Sequence, residues 1–260
     1  MPVVAGPSWL HHLGVSTDET SMGRMGGTAP AAGGGAPESE GGTFRVSGAD
    51  LYRLECRSCH GPDGAGAPPE IHSLLDPVRA TSAAAVEAQM KARGRAIPPS
   101  MAEALAAQAD STLRLRLAQG GEKMPAFADL DDDEVAALIG YLRGLAGVPA
   151  DSSVPRVLRE SADRVGGHLL SGTCHVCHDA VGPGTGPMGM MSGVIPSLAS
   201  IPREQSLPAV EQQVRSGSTG MGMGMGMMMR RGPRMPAYPY LTREEVAAAY
   251  RYLAAHPPRP

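Results

Sequence analysis

All four cysteines of this chain fall in two copies of one five-residue pattern, Cys56-Arg57-Ser58-Cys59-His60 and Cys174-His175-Val176-Cys177-His178. Two thiols three positions apart, followed at once by an imidazole, have the spacing for covalent attachment of haem c. Each thiol can reach one vinyl group on a porphyrin edge and form a thioether, while the adjacent His turns its ring toward the iron. Paired C-x-x-C units also serve zinc sites, redox-active pairs and disulfides. Zinc ribbons bring two such pairs together across roughly 15–20 residues, whereas Cys59 and Cys174 lie 115 positions apart and each pair carries its own His. The spacing points to two covalently attached haem c groups, at Cys56 and Cys59 and at Cys174 and Cys177, with His60 and His178 as iron ligands.

The elements that must hold those groups are also repeated. Lys123-Met124-Pro125-Ala126-Phe127 matches Arg234-Met235-Pro236-Ala237-Tyr238, and the match runs on without a gap through Leu130 and Leu241, Glu134 and Glu245, Tyr141 and Tyr252. One unit is used twice. Each copy ends in a readable helix: Val135, Leu138, Ile139 and Leu142 recur at helical spacing, as do Val246, Ala249, Tyr250 and Leu253. Asp131 with Glu134, and Thr242 with Glu245, predict capping boxes at the two helix starts. A shorter helical candidate precedes each haem motif, with Leu51 and Tyr52 near Gly48 and with Leu169 and Leu170 near Gly166 and Gly167.

In this order of parts the chain resembles class I cytochrome c domains: an N-terminal helix, C-x-x-C-H, a loop region, M-P-A-[FY] and a C-terminal helix. The resemblance implies an all-α fold of two tandem domains, each a few helices wrapped around one covalent haem. It also implies that Met124 and Met235 are the second axial ligands. A neutral thioether opposite His favours reduced iron, and the following Pro stiffens the loop that presents it. Met229 is a reserve ligand should the register slip, and His72 a rival to Met124 if the first haem takes two histidines. Family members also support the proximal imidazole through a Pro carbonyl. Pro68 or Pro69 and Pro196 are similar in position, although the first copy lacks a clean P-x-L. His72, His168, His175 and His256 otherwise read as surface or packing residues.

Domain 1 is expected over 44–146 and domain 2 over 160–257, with a connector at 147–159 whose shortness predicts a fixed relation between the two haems. Thr28 to Gly42 is a Gly, Pro and Ala linker by composition, so residues 28–43 are expected to tether a flexible N-terminal tail or docking peptide, 1–27, that contains Trp9. Arg79 to Ser111 is an Ala-rich insertion, expected to be helical, broken at Pro98-Pro99 and followed by a helix over Leu113 to Leu117. Met221 to Tyr238 carries seven methionines in eighteen residues. The alternating Met and Gly of 221–229 reads as a flexible loop, with partner contact and soft Cu(I) binding as rival readings; Met188, Met190 and Met191 share that ambiguity.

The composition excludes other classes. A net charge of -3, scattered basic residues, two Phe and one Trp give nothing a nucleic acid would bind. So few aromatics leave core volume for a large planar cofactor to fill. No segment is long and apolar enough for a membrane span, and no export leader is visible, although haem is attached to such motifs after export. The expected place is the periplasm or outer face of the membrane, with a leader upstream of the numbered start or already removed. His–Met ligation on both irons predicts an electron carrier between redox protein partners in a membrane-bound respiratory or photosynthetic complex, and not an enzyme. A dihaem peroxidase or sulfur-oxidising enzyme is the alternative; it would need one iron without its Met.

Overall fold

The computed structural model describes residues 39–40, 42–121, 124–149, 157–178, 197–218 and 235–257. The tail and most of the linker, most of the connector, Pro196 and both methionine clusters at 188–191 and 221–229 lie outside those residues.

The first domain begins with strands β1 (Ser39–Glu40) and β2 (Thr43–Val46), then α1 (Gly48–Leu51). The chain passes from α1 through one π-helical turn, Tyr52–Cys56, into α2 (Arg57–His60), so the haem motif lies where the helix widens. Such turns recur at functional sites. Next come α3 (Leu75–Arg79), α4 (Ala83–Ala92), α5 (Pro99–Gln119) and the C-terminal helix α6 (Asp132–Leu145). The insertion is helical and interrupted before Pro99 as expected, with Pro98 capping α5 and Pro99 as its first residue. A proline there lacks only an N–H that has no partner inside the helix anyway. The expected Leu113–Leu117 helix is the end of this same element, and α4 with α5 makes the insertion a helical hairpin.

The second domain repeats the plan with β3 (Leu158–Ser161), α7 (Ala162–Leu169) and a π-helical turn at Leu170–Cys174. A 3₁₀ turn (Leu198–Ser200) leads to α8 (Ile201–Glu204), α9 (Leu207–Ser216) and α10 (Arg243–Ala255). Both predicted capping boxes form. Asp131 Oδ1 accepts from Glu134 N at 2.9 Å and Glu134 Oε2 from Asp131 N at 2.8 Å; Thr242 and Glu245 repeat this at 3.2 and 2.8 Å. The apolar stripe of α6 buries Leu138, Ile139 and Leu142 against α1, and that of α10 buries Val246, Ala249 and Leu253 against α7. Glycine permits the close crossing: a Cβ on Gly166 would stand 2.5 Å from the Ala248 carbonyl oxygen, and Gly48 meets Ala137 in the same way.

The helical expectation holds for most of the chain, but a three-stranded antiparallel sheet ordered β1-β2-β3 was not foreseen. Its β2–β3 pair joins the two domains, with Thr43 opposite Ser161 and Val46 opposite Leu158. Each of these strands runs into the first helix of its own domain. Along the same seam the domains exchange charges reciprocally. Arg53 of the first domain donates to both Glu245 oxygens, at 2.7 and 2.5 Å, and Arg164 of the second donates to both oxygens of Glu134, the Nε contact at 2.8 Å. Glu134 and Glu245 have no exposed surface. Thr173 Oγ1 donates to Leu54 O at 2.7 Å, Ser58 Oγ to Gly172 O at 3.3 Å, and the Arg57 guanidinium covers the Tyr240 ring at 4.4 Å. These contacts carry the fixed relation that the sequence assigned to the short connector.

His168 lies at the centre of the seam. Its exposure is 1%, its Nε2–H donates to Glu134 Oε1 at 2.8 Å, and its Nδ1 lies 2.8 Å from Glu55 Oε1. Burial opposes the charge on His168, but the Glu134 hydrogen bond and the Glu55 contact outweigh it and lift its pKa to about 10. Burial also opposes ionisation of Glu134, yet His168 and Arg164 hold that carboxyl at about 2. Glu55, with burial dominant, rises to about 7.

Two outcomes follow for stability. Gly166→Ala forces its methyl into the α10 backbone and should cost about 1–3 kcal/mol, read as a lower urea midpoint with the haem absorption spectrum retained. For pH, the Glu134 contribution is complete above about 4.3 and lost as pH falls toward its folded value. The His168 contribution is complete below about 6.5 and lost as pH rises through its folded value. Ionising Glu55 costs stability from about pH 4.3 up through its folded value of about 7, so the melting temperature should be highest near about pH 4.5 and fall on either side. His168→Gln should flatten the alkaline limb in calorimetric scans.

Candidate functional site

The thiols belong to the widened turns. Cys56 ends the first and is buried, Cys174 ends the second, and Cys59 and Cys177 follow one turn later. Burial pushes the Cys56 thiol well above its usual range and the Cys174 thiol up to about 12. A redox-active pair depends on a stabilised thiolate, so these environments oppose that reading. Tyr52 Oη donates to Gly61 O at 2.7 Å just past the first motif and fixes the exit of the turn.

The His60 ring is oriented by a backbone carbonyl. His60 Nδ1 lies 3.2 Å from His72 O, which leaves Nε2 to face a metal. Burial lowers the His60 pKa, and that carbonyl acts against the shift. The support comes from His72 and neither from Pro68 nor from Pro69. His72-Ser73-Leu74 occupies the place that Pro196-Ser197-Leu198 holds in the second copy, and any residue can supply a carbonyl. The His72 side chain is exposed. A partner on the second ring nitrogen fixes the tautomer of a metal-binding His, and the sequence signal for it was the Leu74 that pairs with Leu198.

The two M-P-A-[FY] loops are held by the same bonds. Gly120 ends α5 and Gly217 ends α9, with φ of 68° and 73°. The next residue's N–H then donates to the methionine carbonyl: Gly121 to Met124 O at 2.8 Å and Ser218 to Met235 O at 3.1 Å. The aromatic N–H returns to the helix, Phe127 to Leu117 O and Tyr238 to Val214 O, both at 2.8 Å. Met235 N also donates to Ser218 Oγ at 3.0 Å. Met124 and Met235 are therefore equivalent in backbone setting, and the repeat register read from sequence is the structural one. Met229 lies outside the described residues.

In the second domain Cys174, Cys177, His178 and Met235 all line one cavity of about 1210 Å³, counting its open mouth. Its remaining wall is mainly apolar and includes Leu169, Leu198, Ile201, Val246 and Leu253. Two thiols, one imidazole and one thioether around an apolar hollow form the donor set of a covalently held haem, and the residues present fit that group. In the first domain Met124, Leu74 and Leu75 pack, partly buried, against the core.

Of the other histidines, His256 stacks on Tyr252 at 4.1 Å and His175 is half-buried. The buried ionic role of His168 had no local signal, since its carboxylate partners lie 113 and 34 residues away in sequence.

Comparison with known families agrees with this layout. Residues 46–142 match the family model described as cytochrome c oxidase, cbb3-type, subunit III, and residues 166–257 match the one described as cytochrome c. No curated protein and no solved structure matches the chain.

His72→Ala keeps the carbonyl that orients His60 and should leave the reduced-minus-oxidised spectrum of the haem-loaded protein unchanged. Loss of one haem signature in that spectrum would instead make the His72 ring a ligand.

Proposed function

Because the chain is built from two cytochrome c domains in tandem, we propose that it is a dihaem electron carrier. Haem c is joined to Cys56 and Cys59 in the first domain and to Cys174 and Cys177 in the second. His60 and His178 are the proximal ligands, and Met124 and Met235 the distal ones. Cytochrome c domains imply electron transfer through covalently bound haem c; the count of two, the four ligands and the carrier role are the proposal. The observation that carries it is the convergence of Cys174, Cys177, His178 and Met235 on one apolar cavity.

When bound, haem supplies a one-electron couple whose potential a thioether opposite imidazole raises. The chain's own part is to bind, orient and keep out water. His72 O sets the plane of the first imidazole, the Gly121 and Ser218 amides hold the methionines through their carbonyls, and the apolar wall excludes solvent. With one imidazole and one thioether assigned to each iron, no donor position would be left for substrate, which favours a carrier over a dihaem peroxidase or sulfur-oxidising enzyme.

The site of action is the periplasm or outer face of the membrane, because haem joins C-x-x-C-H chains after export. Among the described residues no helix is long and apolar enough to cross a membrane. The match of the first domain to the cbb3-type subunit III model supports a place beside a membrane oxidoreductase as a subunit or tethered carrier. Cu(I) binding at 221–229 remains a separate reading of residues outside the described set.

Intact mass after expression with the haem-attachment machinery should exceed the polypeptide by two haems. The oxidised protein should carry the weak far-red Met–iron band at both sites, with Met124→Ala and Met235→Ala each abolishing one and lowering that haem's potential. A single such band in the unmodified protein would select the enzymatic alternative, and a bare polypeptide mass would remove haem altogether.

A further inference from the structure

The two flanks of the seam differ in one respect. Residue 50 of the first domain corresponds to 168 of the second, 55 to 173, and 129 to 240. On one flank these positions hold Asp50, Thr173 and Tyr240, and Arg53 balances Asp50 at 2.9 Å and Glu245 at 2.5 Å. On the other they hold His168, Glu55 and Asp129. There, among the described residues, Glu55, Asp129, Asp131, Glu134 and Glu160 gather around Arg164 and His168. Five carboxyl groups thus stand against two cations among these residues.

Three donor atoms converge at that place. His168 Nδ1 lies 2.8 Å from Glu55 Oε1 and 3.9 Å from Asp129 Oδ2, and the three ligand atoms all fall within 4.8 Å of one another. Donors about 2.1 Å from a tetrahedral ion stand roughly 3.4 Å apart, and the two measured separations bracket that spacing. The Glu55 side chain is wholly buried, yet neither of its oxygens makes a hydrogen bond, and His168 Nδ1 makes none either. The 2.8 Å Glu55–His168 ion pair lacks hydrogen-bond alignment, and Glu55 Oε2 meets no donor at all. Native interiors pair such atoms almost without exception.

The outer shell is also in place. His168 Nε2–H donates to Glu134 Oε1, the carboxylate behind the imidazole that metal-ligating histidines use to fix the tautomer and raise ligand basicity. Arg164 in turn balances Glu134. The Asp129 side chain is 53% exposed and gives an ion and a completing water a way in. Once an ion displaces the His168 Nδ1 proton, Glu55 and Asp129 bring two negative charges and the ring none, so a divalent cation closes the charge balance.

We propose that Glu55, Asp129 and His168 form a divalent-cation site at the seam between the two domains, separate from either haem, that ties the second domain's first helix to the first domain. One imidazole nitrogen and two carboxylates suit a borderline ion such as zinc. The ion takes the place of the His168 Nδ1 proton, so binding releases that proton and weakens as pH falls.

Zinc titration of chelator-stripped, haem-loaded full chain by calorimetry tests this. One tight site per chain is expected, with a raised melting temperature and an X-ray absorption shell of nitrogen and oxygen without sulfur. Asp129→Ala removes an exposed side chain, so its fold and haem spectra should persist while zinc affinity falls at least about tenfold; His168→Gln should do the same. No tight zinc site, unchanged affinity in both variants, or a sulfur-containing shell would each overturn the proposal.

Discussion

A carboxylate buried at the first turn of a helix can stay ionised only if a cation reaches it. Among the described residues two such carboxylates, Glu134 and Glu245, have no exposed surface at all. Each caps its own C-terminal helix, and each receives its arginine from the other domain: Arg164 for Glu134 and Arg53 for Glu245. Removing one partner of such a pair costs about 3–5 kcal/mol, because the remaining charge is stranded. Neither C-terminal helix is electrostatically complete in its own domain. The two domains are therefore held in one arrangement, which β2 and β3 extend into a shared sheet.

That arrangement places the two C-x-x-C-H turns side by side. Leu54, just before the first motif, accepts from Thr173, just before the second, and Ser58 within the first donates to Gly172. Any Cβ on Gly172 would run into Glu55. A close seam and a buried charge system thus depend on the same few residues, and the cysteines of the two motifs inherit their spacing from them.

The repeat is faithful where the backbone must present a ligand and loose elsewhere. Both methionine loops use the same helix-ending glycine, the same amide to the methionine carbonyl and the same aromatic return bond. By contrast the first domain carries the α4–α5 hairpin, and the flanks of the seam diverged until one holds Arg53 and the other His168 with its carboxylates. A core with two Phe and one Trp in the whole chain is consistent with the apolar hollow of the second domain, whose volume the side chains leave for a planar group.

By itself the sequence determined everything written in short-range code. The C-x-x-C-H spacing, the capping boxes of α6 and α10, the apolar stripes and the doubled M-P-A-[FY] loops each depend on residues within a few positions of one another, where side-chain chemistry and helical period decide the outcome. Only the tertiary structure decided that His72 supplies a carbonyl, because a main-chain acceptor leaves no mark on residue type. It alone also brought Glu55, Asp129, Glu134 and His168 together across 113 residues of chain. No local pattern announces a buried charge cluster, since its members are chosen by the fold that desolvates them and not by their neighbours in sequence.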